Sequence, residues 1–438
     1  MLHAARMYEE ENLPRIPETS RPVFHVTGGL GWINDPNGFS YYDGAYHLFY
    51  QYHPYSLQWG PMHWGHVKSH DLIRWDRLPV ALAPDMPYDA DGCFSGSALT
   101  LPDGRHLLMY TGVKEKIQSQ CLAVGDGVNY EKFSGNPVIE GCEDFRDPKI
   151  WEENGRYYTV AVHRAEDGSG EVRLYESSDA FHWEFHSILA ASHNRWGGMW
   201  ECPDFFSLDG SHLLLVSVMD LPQELFHLPS KRAVLALIGH WKDDVFSYDQ
   251  VLPLDLGMDF YAPQTLLAPD GRRILIGWLQ SWDTARTLPR HMSWFGQMTL
   301  PRELSCRNGR LLQNPIRELD AYRHDPVQYH AVSLDHVPVL PVTAGADLTI
   351  ALSGDASFAL SVGQTPVIYD AQAHTLTVDH HTVSTAIAKL RCIIDRYSLE
   401  IFINDGENVI STSYCDAKDR SVRLSGAVVG DVDLYHIG

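Results

Sequence analysis

A tight turn that recurs five times in the N-terminal part of the chain constrains the fold more than any other feature. Each copy is an Asp-Gly or Asn-Gly pair followed by an aliphatic or aromatic run, and such pairs favour two-residue hairpins. The copies are Asp43-Gly44, Asp103-Gly104, Asn154-Gly155, Asp209-Gly210 and Asp270-Gly271, with spacings of 60, 51, 55 and 61 residues. A repeat of that length, made of strands and turns, is typical of a propeller blade of about four strands. The sequence therefore predicts five blades.

A second motif repeats in register with the first three turns: an Asp followed, four residues later, by an aromatic and then an acid. Its copies begin at Asp71, Asp126 and Asp179, which are 55 and 53 residues apart. A further turn, Asn308-Gly309, follows the fifth by only 38 residues. Because that spacing is too short for another blade, we assign it to the closing strands of blade five.

The residues seven or eight positions before the five turns are Asp35, Ser95, Asp147, Glu201 and Ala262. If each of them opens the innermost strand of its blade, all five surround one end of the central channel. Carboxylates that are far apart in sequence would then meet in space. The pattern predicts a polar funnel that contains three acids.

After the last repeat the chain carries a short helical pattern, Ile316 to Tyr322, and then short alternating strands with turn signals. We therefore predict an all-β protein, a five-bladed β-propeller followed by a C-terminal β-sandwich. The predicted parts are a catalytic propeller with an N-terminal extension at 1-318, a short helical linker at 319-327 and a sandwich at 328-438. No low-complexity linker separates them, so we expect a packed interface.

Composition narrows the choice of partner. A net charge of -22 over 438 residues repels phosphate backbones and anionic lipid, so nucleic acid and membranes are poor candidates. A small neutral substrate fits better, and a sugar phosphate would need a local basic pocket. The 12 Trp and 21 Tyr suit β packing and also suit stacking on sugars. A homo-oligomer is possible.

The seven cysteines, from Cys93 to Cys415, are odd in number and form no metal-binding C-x-x-C pair, which indicates reduced thiols. The N-terminus has no apolar signal region, so we expect a cytoplasmic protein. His63 and His66 would lie on opposite faces of a strand, which disfavours metal binding. We predict no metal and no cofactor.

Two carboxyls that converge on an aromatic-walled channel suit cleavage of a glycosidic bond, where one protonates the leaving oxygen and the other attacks the anomeric carbon or activates water. Glu201 has apolar sequence neighbours, which would disfavour its charged form and suit a proton donor. Asp147 follows Arg146, whose cation would favour the carboxylate and suit a charge stabiliser. Asp35 is left as nucleophile.

Simpler explanations stand beside these assignments. An Asp before a proline is usually turn chemistry when it is taken singly. Trp64 and Trp278 fit a blade core as well as a sugar site. Cys202 could be a nucleophile by composition, but no His partner is evident in the sequence, and a small apolar neighbour of Glu201 is the better interpretation.

Several segments together resemble the signature motifs of glycoside hydrolase family 32, the invertase and β-fructofuranosidase family. The three central ones are Trp32 to Gly38, Phe145 to Pro148 and Trp200 to Cys202. The others are Phe49 to Gln51, Trp59 to His66, Phe94 to Ser97, Asp259 to Gln264, and Asp395-Arg396 with Glu400 to Phe402. Their order matches that of the family from end to end, which makes the resemblance specific.

The resemblance implies a retaining mechanism, with Asp35 as nucleophile, Asp147 as transition-state stabiliser and Glu201 as acid/base. Retention would require the carboxyls of Asp35 and Glu201 to lie about 5 to 5.5 Å apart. The resemblance also implies a fructose subsite lined by Asn34, Gln51, Trp59, Phe94, Ser95 and Arg146.

We therefore expect a β-fructofuranosidase that releases fructose from sucrose, sucrose 6-phosphate or a short fructo-oligosaccharide through a covalent fructosyl-enzyme. A fructosyltransferase with the same residues is one alternative, separated by whether sugar or water captures the intermediate. A non-catalytic carbohydrate-binding propeller is another, and the three carboxylates argue against it. The leaving group and the oligomeric state stay open.

Overall fold

The computed structural model describes residues 1–286, 292–307, 309–414 and 419–438. Asn308 of the additional turn and Cys415 lie outside these ranges. The described strands form seven sheets, and helix is confined to short segments. No helix among the described residues is long and apolar enough to cross a membrane.

The first part of the chain forms five sheets, and apart from one short added strand in the first sheet their strands are antiparallel and in sequence order. The first sheet holds β1 (Gly31–Tyr42), β2 (Ala45–His53), β3 (His63–Ser69) and β4 (Asp76–Leu82). The second holds β5 (Gly92–Thr100), β6 (His106–Lys114), β7 (Ile117–Gly125), β8 (Tyr130–Lys132) and β9 (Ile139–Cys142). The third holds β10 (Phe145–Glu153), β11 (Arg156–Arg164), β12 (Gly170–Ser177) and β13 (Glu184–Ala191).

The fourth sheet holds β14 (Trp200–Leu208), β15 (Ser211–Val218), β16 (Ala233–Lys242) and β17 (Val245–Pro253). The fifth begins with β18 (Tyr261–Leu267) and β19 (Arg273–Trp278). The chain then forms β20 (Trp294–Phe295), which pairs in parallel with the start of β1. The fifth sheet is completed by β21 (Arg302–Arg307) and β22 (Arg310–Pro315).

The first strands of the five sheets form a closed ring. β1, β5, β10, β14 and β18 each contact the first strand of both neighbouring sheets, and β18 returns to β1. Each predicted turn connects the first and second strands of its sheet. The five-bladed propeller is therefore confirmed, and Gly309 lies between β21 and β22 of blade five, as expected from the short spacing.

The C-terminal part forms two facing sheets around one apolar core. One has the order β23-β33-β24-β29-β30-β31 and the other β28-β27-β26-β25-β32. Their strands are β23 (Arg323–Ser333), β24 (Gly345–Leu352), β25 (Phe358–Val362), β26 (Thr365–Asp370), β27 (Thr375–Val378), β28 (His381–Ser384), β29 (Lys389–Ile394), β30 (Ser398–Ile403), β31 (Asn408–Ser413), β32 (Val422–Ser425) and β33 (Val429–Ile437). The predicted β-sandwich is confirmed.

The helical segments lie at the ends and connections of the sheets. The α-helices are α1 (Leu2–Asn12) and α2 (Gln223–Phe226). Short 3-10 helices cover Leu13–Arg15, Glu18–Ser20, Thr284–Arg286, Arg317–Tyr322, Leu334–His336 and Asn404–Gly406. The helix near the predicted linker ends at Tyr322, and β23 begins at Arg323 because its residues pair with β33. The prediction of a helical linker was therefore wrong for residues 323–327. The division into domains stays a prediction.

A buried network of charges joins the propeller to the sandwich. His25, just before blade one, bonds Asp395 through Nδ1 at 2.8 Å and Glu400 through Nε2 at 2.9 Å. Arg302 of β21 donates to Glu400 at 2.7 Å and to Asp255 at 3.0 Å. Asp395 and Glu400 belong to the sandwich motif, which therefore has a docking role in this structure.

Burial lowers the pKa of His25, but the hydrogen bonds and charges of Asp395 and Glu400 raise it to about 9. The raised pKa means that the folded state holds this proton more tightly than the unfolded chain does. Protonated His25 therefore stabilises the folded protein by about 3 kcal/mol. This stabilisation is complete below the unfolded pKa near 6.5 and is lost as the pH rises through 9.

We predict that the Tm falls between pH 7 and pH 9 because of His25. The variant His25→Gln cannot titrate, so it should start with a lower Tm and change less over this interval. Thermal unfolding of both proteins at several pH values checks the prediction. An equal decline in both would contradict it.

Candidate active site

The innermost strand of every blade departs from regular pairing at one place, and β1 does so a second time, between Asn37 and Ser40. Each departure inserts unpaired residues that bend the strand and redirect its side chains, as bulges do. The register shifts lie between Ile33 and Pro36, Phe94 and Gly96, Arg146 and Lys149, Glu201 and Asp204, and Tyr261 and Gln264. The predicted funnel residues all lie at or beside these shifts.

Three of the irregular positions adopt a left-handed backbone immediately before a proline. Asp147 has φ 62°, Cys202 has φ 48° and Ala262 has φ 49°. Such a conformation costs a residue with a side chain about 1–3 kcal/mol and tends to occur at functional sites. The residue of blade four that matches Asp147 is therefore Cys202, and Glu201 stands one position earlier, level with Arg146.

This equivalence corrects the one expected from the sequence, where counting back from the turns matched Glu201 with Asp147. The left-handed residue stands seven positions before the turn in blades three and four and eight before it in blade five. A fixed count from the turn therefore cannot identify equivalent residues. The proline that follows Asp147, Cys202 and Ala262 is the better marker.

Asp35 is buried and accepts hydrogen bonds at both carboxylate oxygens. Oδ1 accepts from Asn34 Nδ2 at 3.0 Å. Oδ2 accepts from Ser95 Oγ at 2.6 Å and from Gln51 Nε2 at 3.1 Å. These donors fix the orientation of the carboxylate and favour its charged form against the cost of burial.

Asp147 lies close to Asp35 through a shared neighbour. The Sγ of Cys202 is 3.7 Å from an oxygen of each carboxylate, and the Cys202 amide donates to Asp147 Oδ2 at 3.2 Å. Burial and the two carboxylates raise the pKa of the Cys202 thiol well above its ordinary value. A thiol held protonated is a poor nucleophile, so Cys202 is a spacer between two acids.

Glu201 is held by one cation and one hydroxyl. Arg146 Nη2 donates to its Oε1 at 3.0 Å, and the hydroxyl of Tyr261 donates to its Oε2 at 2.8 Å. Arg146 also lies 3.5 Å from Asp147 and donates to Asp144 at 3.0 Å. One guanidinium is therefore shared among three carboxylates.

The surroundings of Glu201 differ from those that its sequence neighbours suggested, because Trp200 packs into the core between blades three and four and Arg146 faces the carboxylate. Arg146 favours the charged form of Asp147, as expected, because its cation lowers the pKa of that carboxyl. Burial raises the pKa of Asp147 to about 7 despite Arg146, and the charges of Glu201 and Asp35 add to the rise.

Burial likewise raises the pKa of Asp35, against the hydrogen bond from Ser95 and together with the charge of Glu201. The charge of Glu201 raises the pKa of both Asp35 and Asp147, and the charge of Asp35 adds to the rise at Asp147. Ionising all three would leave more negative charge than Arg146 can balance. The arrangement therefore favours retention of a proton among the three acids.

A cavity of about 520 Å³ opens beside Glu201. Its lining includes Trp59, whose ring is 46 % exposed and meets Phe94 edge to face at 5.8 Å. The remaining lining residues are Trp32, Gln58, Met219, Arg232, Trp282 and Ala285. Aromatic faces beside buried acids can bind a sugar by stacking and hydrogen bonding.

The structure brings together the residues that the sequence proposed for the subsite. Asn34, Gln51 and Ser95 contact Asp35, as described, and Arg146 contacts Glu201 and Asp147. Phe94 and Trp59 form one wall of the opening. Their roles toward a ligand stay predictions.

Sequence reasoning missed Tyr261, Arg232 and Trp282 as site residues. Arg232 donates to Asp283 at 2.9 Å, and Ser230 donates to the other oxygen of the same carboxylate at 2.7 Å. Tyr261 lies in a motif that the resemblance already included, which could have identified it. Arg232 and Trp282 follow no repeat position and had no comparable signal.

Four residues for which the sequence also allowed a purely structural role are buried: Trp64, Trp278, His63 and His66. Trp64 and Trp278 are fully buried. His66 bonds His47 at 2.9 Å, and His63 bonds the carbonyl of Pro61 at 3.1 Å. Within the described ranges, no group of three or more His, Cys, Asp or Glu side chains could hold a metal ion.

Comparison with known proteins agrees with this geometry. The chain is 37% identical to a raffinose invertase of Escherichia coli over 97% of this chain and 96% of that protein. It is 34% identical to a sucrose-6-phosphate hydrolase of Bacillus subtilis over 93% of this chain and 92% of that protein. A β-fructofuranosidase structure from Bombyx mori matches with a TM-score of 0.90 and 34% identity, covering 100% of this chain and 98% of that one.

Two family models together span most of the chain. The family 32 N-terminal domain of glycosyl hydrolases matches residues 25–315, which include all three carboxylates. The family 32 C-terminal region matches residues 322–432. Because both models match in order and the acids lie within the first, the chain is a glycoside hydrolase that belongs to glycosyl hydrolase family 32.

Proposed function

We propose that the chain is a retaining β-fructofuranosidase that hydrolyses a terminal β-D-fructofuranoside of sucrose, sucrose 6-phosphate or a short fructo-oligosaccharide. The observation that carries the proposal is the convergence of Asp35, Asp147 and Glu201 from three blades, with Glu201 lining an open cavity. Invertase and sucrose-6-phosphate hydrolase relatives support the substrate class.

Asp35 is proposed as the nucleophile that attacks the anomeric carbon. Donors at both of its oxygens hold the carboxylate in one orientation. A fixed nucleophile gives up little entropy when it reacts, which favours a covalent fructosyl-enzyme. Water then hydrolyses that intermediate with net retention of configuration.

Glu201 is proposed as the acid and then the base, and Asp147 as the stabiliser of positive charge in the transition state. The proton that the cluster retains would be supplied to the leaving oxygen through Glu201, which lines the cavity. Tyr261 and Arg146 orient Glu201 for both steps. After proton loss, Arg146 stabilises the glutamate that accepts a proton from water.

Trp59 is proposed to border the fructose subsite, and the leaving group to occupy the adjoining part of the opening, lined by Gln58, Trp282 and Arg232. A neutral hexose can stack on the indole of Trp282 there. A phosphorylated hexose would meet Arg232, which is already paired with Asp283. A fructosyltransferase with the same acids stays an alternative, and a sugar acceptor would enter through this opening.

We also propose that the protein works in the cytoplasm without nucleic-acid or membrane partners. The net charge of -22 disfavours anionic surfaces. Six cysteines within the described ranges are free thiols, as expected for a reducing compartment. Association into a homo-oligomer stays an open part of this proposal.

Replacing Asp35 by Ala should lower kcat at least about 10⁴-fold on sucrose, because no nucleophile remains. The matched control Asp43→Asn removes an exposed carboxylate from the other end of the same strand pair and should keep wild-type turnover. Initial rates and Tm values check the prediction. A folded Asp35→Ala protein with near-normal rates would reject the assignment.

The pH profile should report the shared proton. We expect kcat/KM to fall as the pH rises through about 7, where the cluster loses its last proton. Asp147→Asn removes one negative charge, so its residual activity should decline at a lower pH than that of the wild type. A profile that stays level to pH 9, or an unchanged decline in Asp147→Asn, would contradict this account.

A side-by-side rate comparison on sucrose, sucrose 6-phosphate, kestose and inulin tests the substrate class. Fructose should be released from at least one of them, and the highest kcat/KM identifies the preferred leaving group. Product analysis at high sucrose separates water from sugar as the acceptor, because a transferase would accumulate longer saccharides. Release of fructose from none of the four would overturn the proposed function.

A further inference from the structure

The N-terminal helix α1 lies outside the residues that the family models match, yet it is docked on the propeller. Ala5 is fully buried. Arg6 donates to the carbonyl of Val80 in β4 at 2.9 Å and to the side chain of Asn129 near blade two at 2.9 Å. The helix is therefore held in place by contacts with two blades.

From this position α1 touches the loop between β2 and β3. The rings of Tyr8 and Tyr55 meet edge to face at 5.0 Å. A cavity of about 260 Å³ lies between the helix and this loop, lined by Tyr8, Asn12, Tyr55 and Leu57 among others. Because this cavity separates part of the loop from the helix, the contact between the rings of Tyr8 and Tyr55 supports the loop at that place.

The same loop carries two residues of the substrate opening, Gln58 and Trp59. Tyr55 packs against His53 at 6.0 Å between ring centroids. The Nδ1 of His53 donates to the carbonyl oxygen of Gln58 at 2.8 Å. A short series of contacts thus leads from Tyr8 on the helix to the backbone beside Trp59.

Two further ring contacts reach this loop, that of Tyr55 with His63 and that of Trp59 with Phe94, each at 5.8 Å between centroids. The side chain of Tyr55 is 44 % exposed and that of Trp59 is 46 % exposed. Exposed aromatic side chains on a loop sample several orientations unless neighbours restrict them. The contact with α1 restricts Tyr55, and through His53 it restricts the segment that presents Trp59.

We propose that α1 is a positioning element for the substrate pocket, and that Tyr8 holds loop 54–61 so that Gln58 and Trp59 face the bound sugar. The role of the loop in substrate binding rests on the proposed function. The restraint of the loop by Tyr8 does not, so the two can be tested separately.

The test compares Tyr8→Ala, Tyr8→Phe and Met7→Ala in the full-length protein. Tyr8→Ala removes the ring and should raise KM for sucrose about three- to tenfold, with kcat changed less than about twofold, because binding rather than chemistry is impaired. Tyr8→Phe keeps the ring contact and should restore the wild-type KM. Met7 is exposed, so Met7→Ala should behave as the wild type.

Hydrogen exchange of residues 54–61, measured without substrate, gives a readout that is independent of activity. Exchange should be faster in Tyr8→Ala than in the wild type and unchanged in Tyr8→Phe and Met7→Ala. Unchanged exchange and KM in Tyr8→Ala would overturn the inference, as would a fall in kcat alone. Fast exchange in Tyr8→Ala, with no release of fructose by the wild type from sucrose, sucrose 6-phosphate, kestose or inulin, would support the restraint and reject the proposed function.

Discussion

The structure depends on the hydrogen bonds made by one backbone amide at the irregular part of each innermost strand. An amide that leaves the ladder in a buried channel must find another acceptor. In each blade the acceptor is a side chain of the preceding blade. The pairs are Phe39 with Gln264, Gly96 with Asn37, Asp147 with Thr111, Cys202 with Asp147, and Ala262 with Ser217. The ring of strands is closed by these bonds as well as by apolar packing.

This constraint explains why the acids converge. Asp147 takes part twice, because its amide donates to Thr111 and its carboxylate accepts from Cys202. The residue proposed to stabilise the transition state therefore also joins blades three and four. The left-handed backbone at Asp147 and Cys202 is costly, and the inter-blade hydrogen bonds offset that cost. Architecture and chemistry thus depend on the same few contacts.

The sequence was sufficient for features that repeat. Five turns with a common spacing predicted the blades, and acids near the same position predicted a shared funnel. The sequence could not show which residue of blade four matches Asp147, because the distance from the left-handed residue to the turn varies by one residue among the blades. Nor could it reveal that Arg146, beside Asp147 in sequence, reaches Glu201 of the next blade. Arg232 and the contact between Tyr8 and Tyr55 depend on long-range packing, which leaves no local pattern.

Three acids from three blades are proposed to act on one furanose ring. The most direct measurement is a crystal structure of Asp35→Ala with sucrose, a variant that should bind the sugar without cleaving it. We expect the fructose ring between Asp147 and Glu201, with its anomeric carbon facing position 35 and the glucose in the opening beside Trp282. Sucrose bound elsewhere, with those side chains free of contact, would contradict the account.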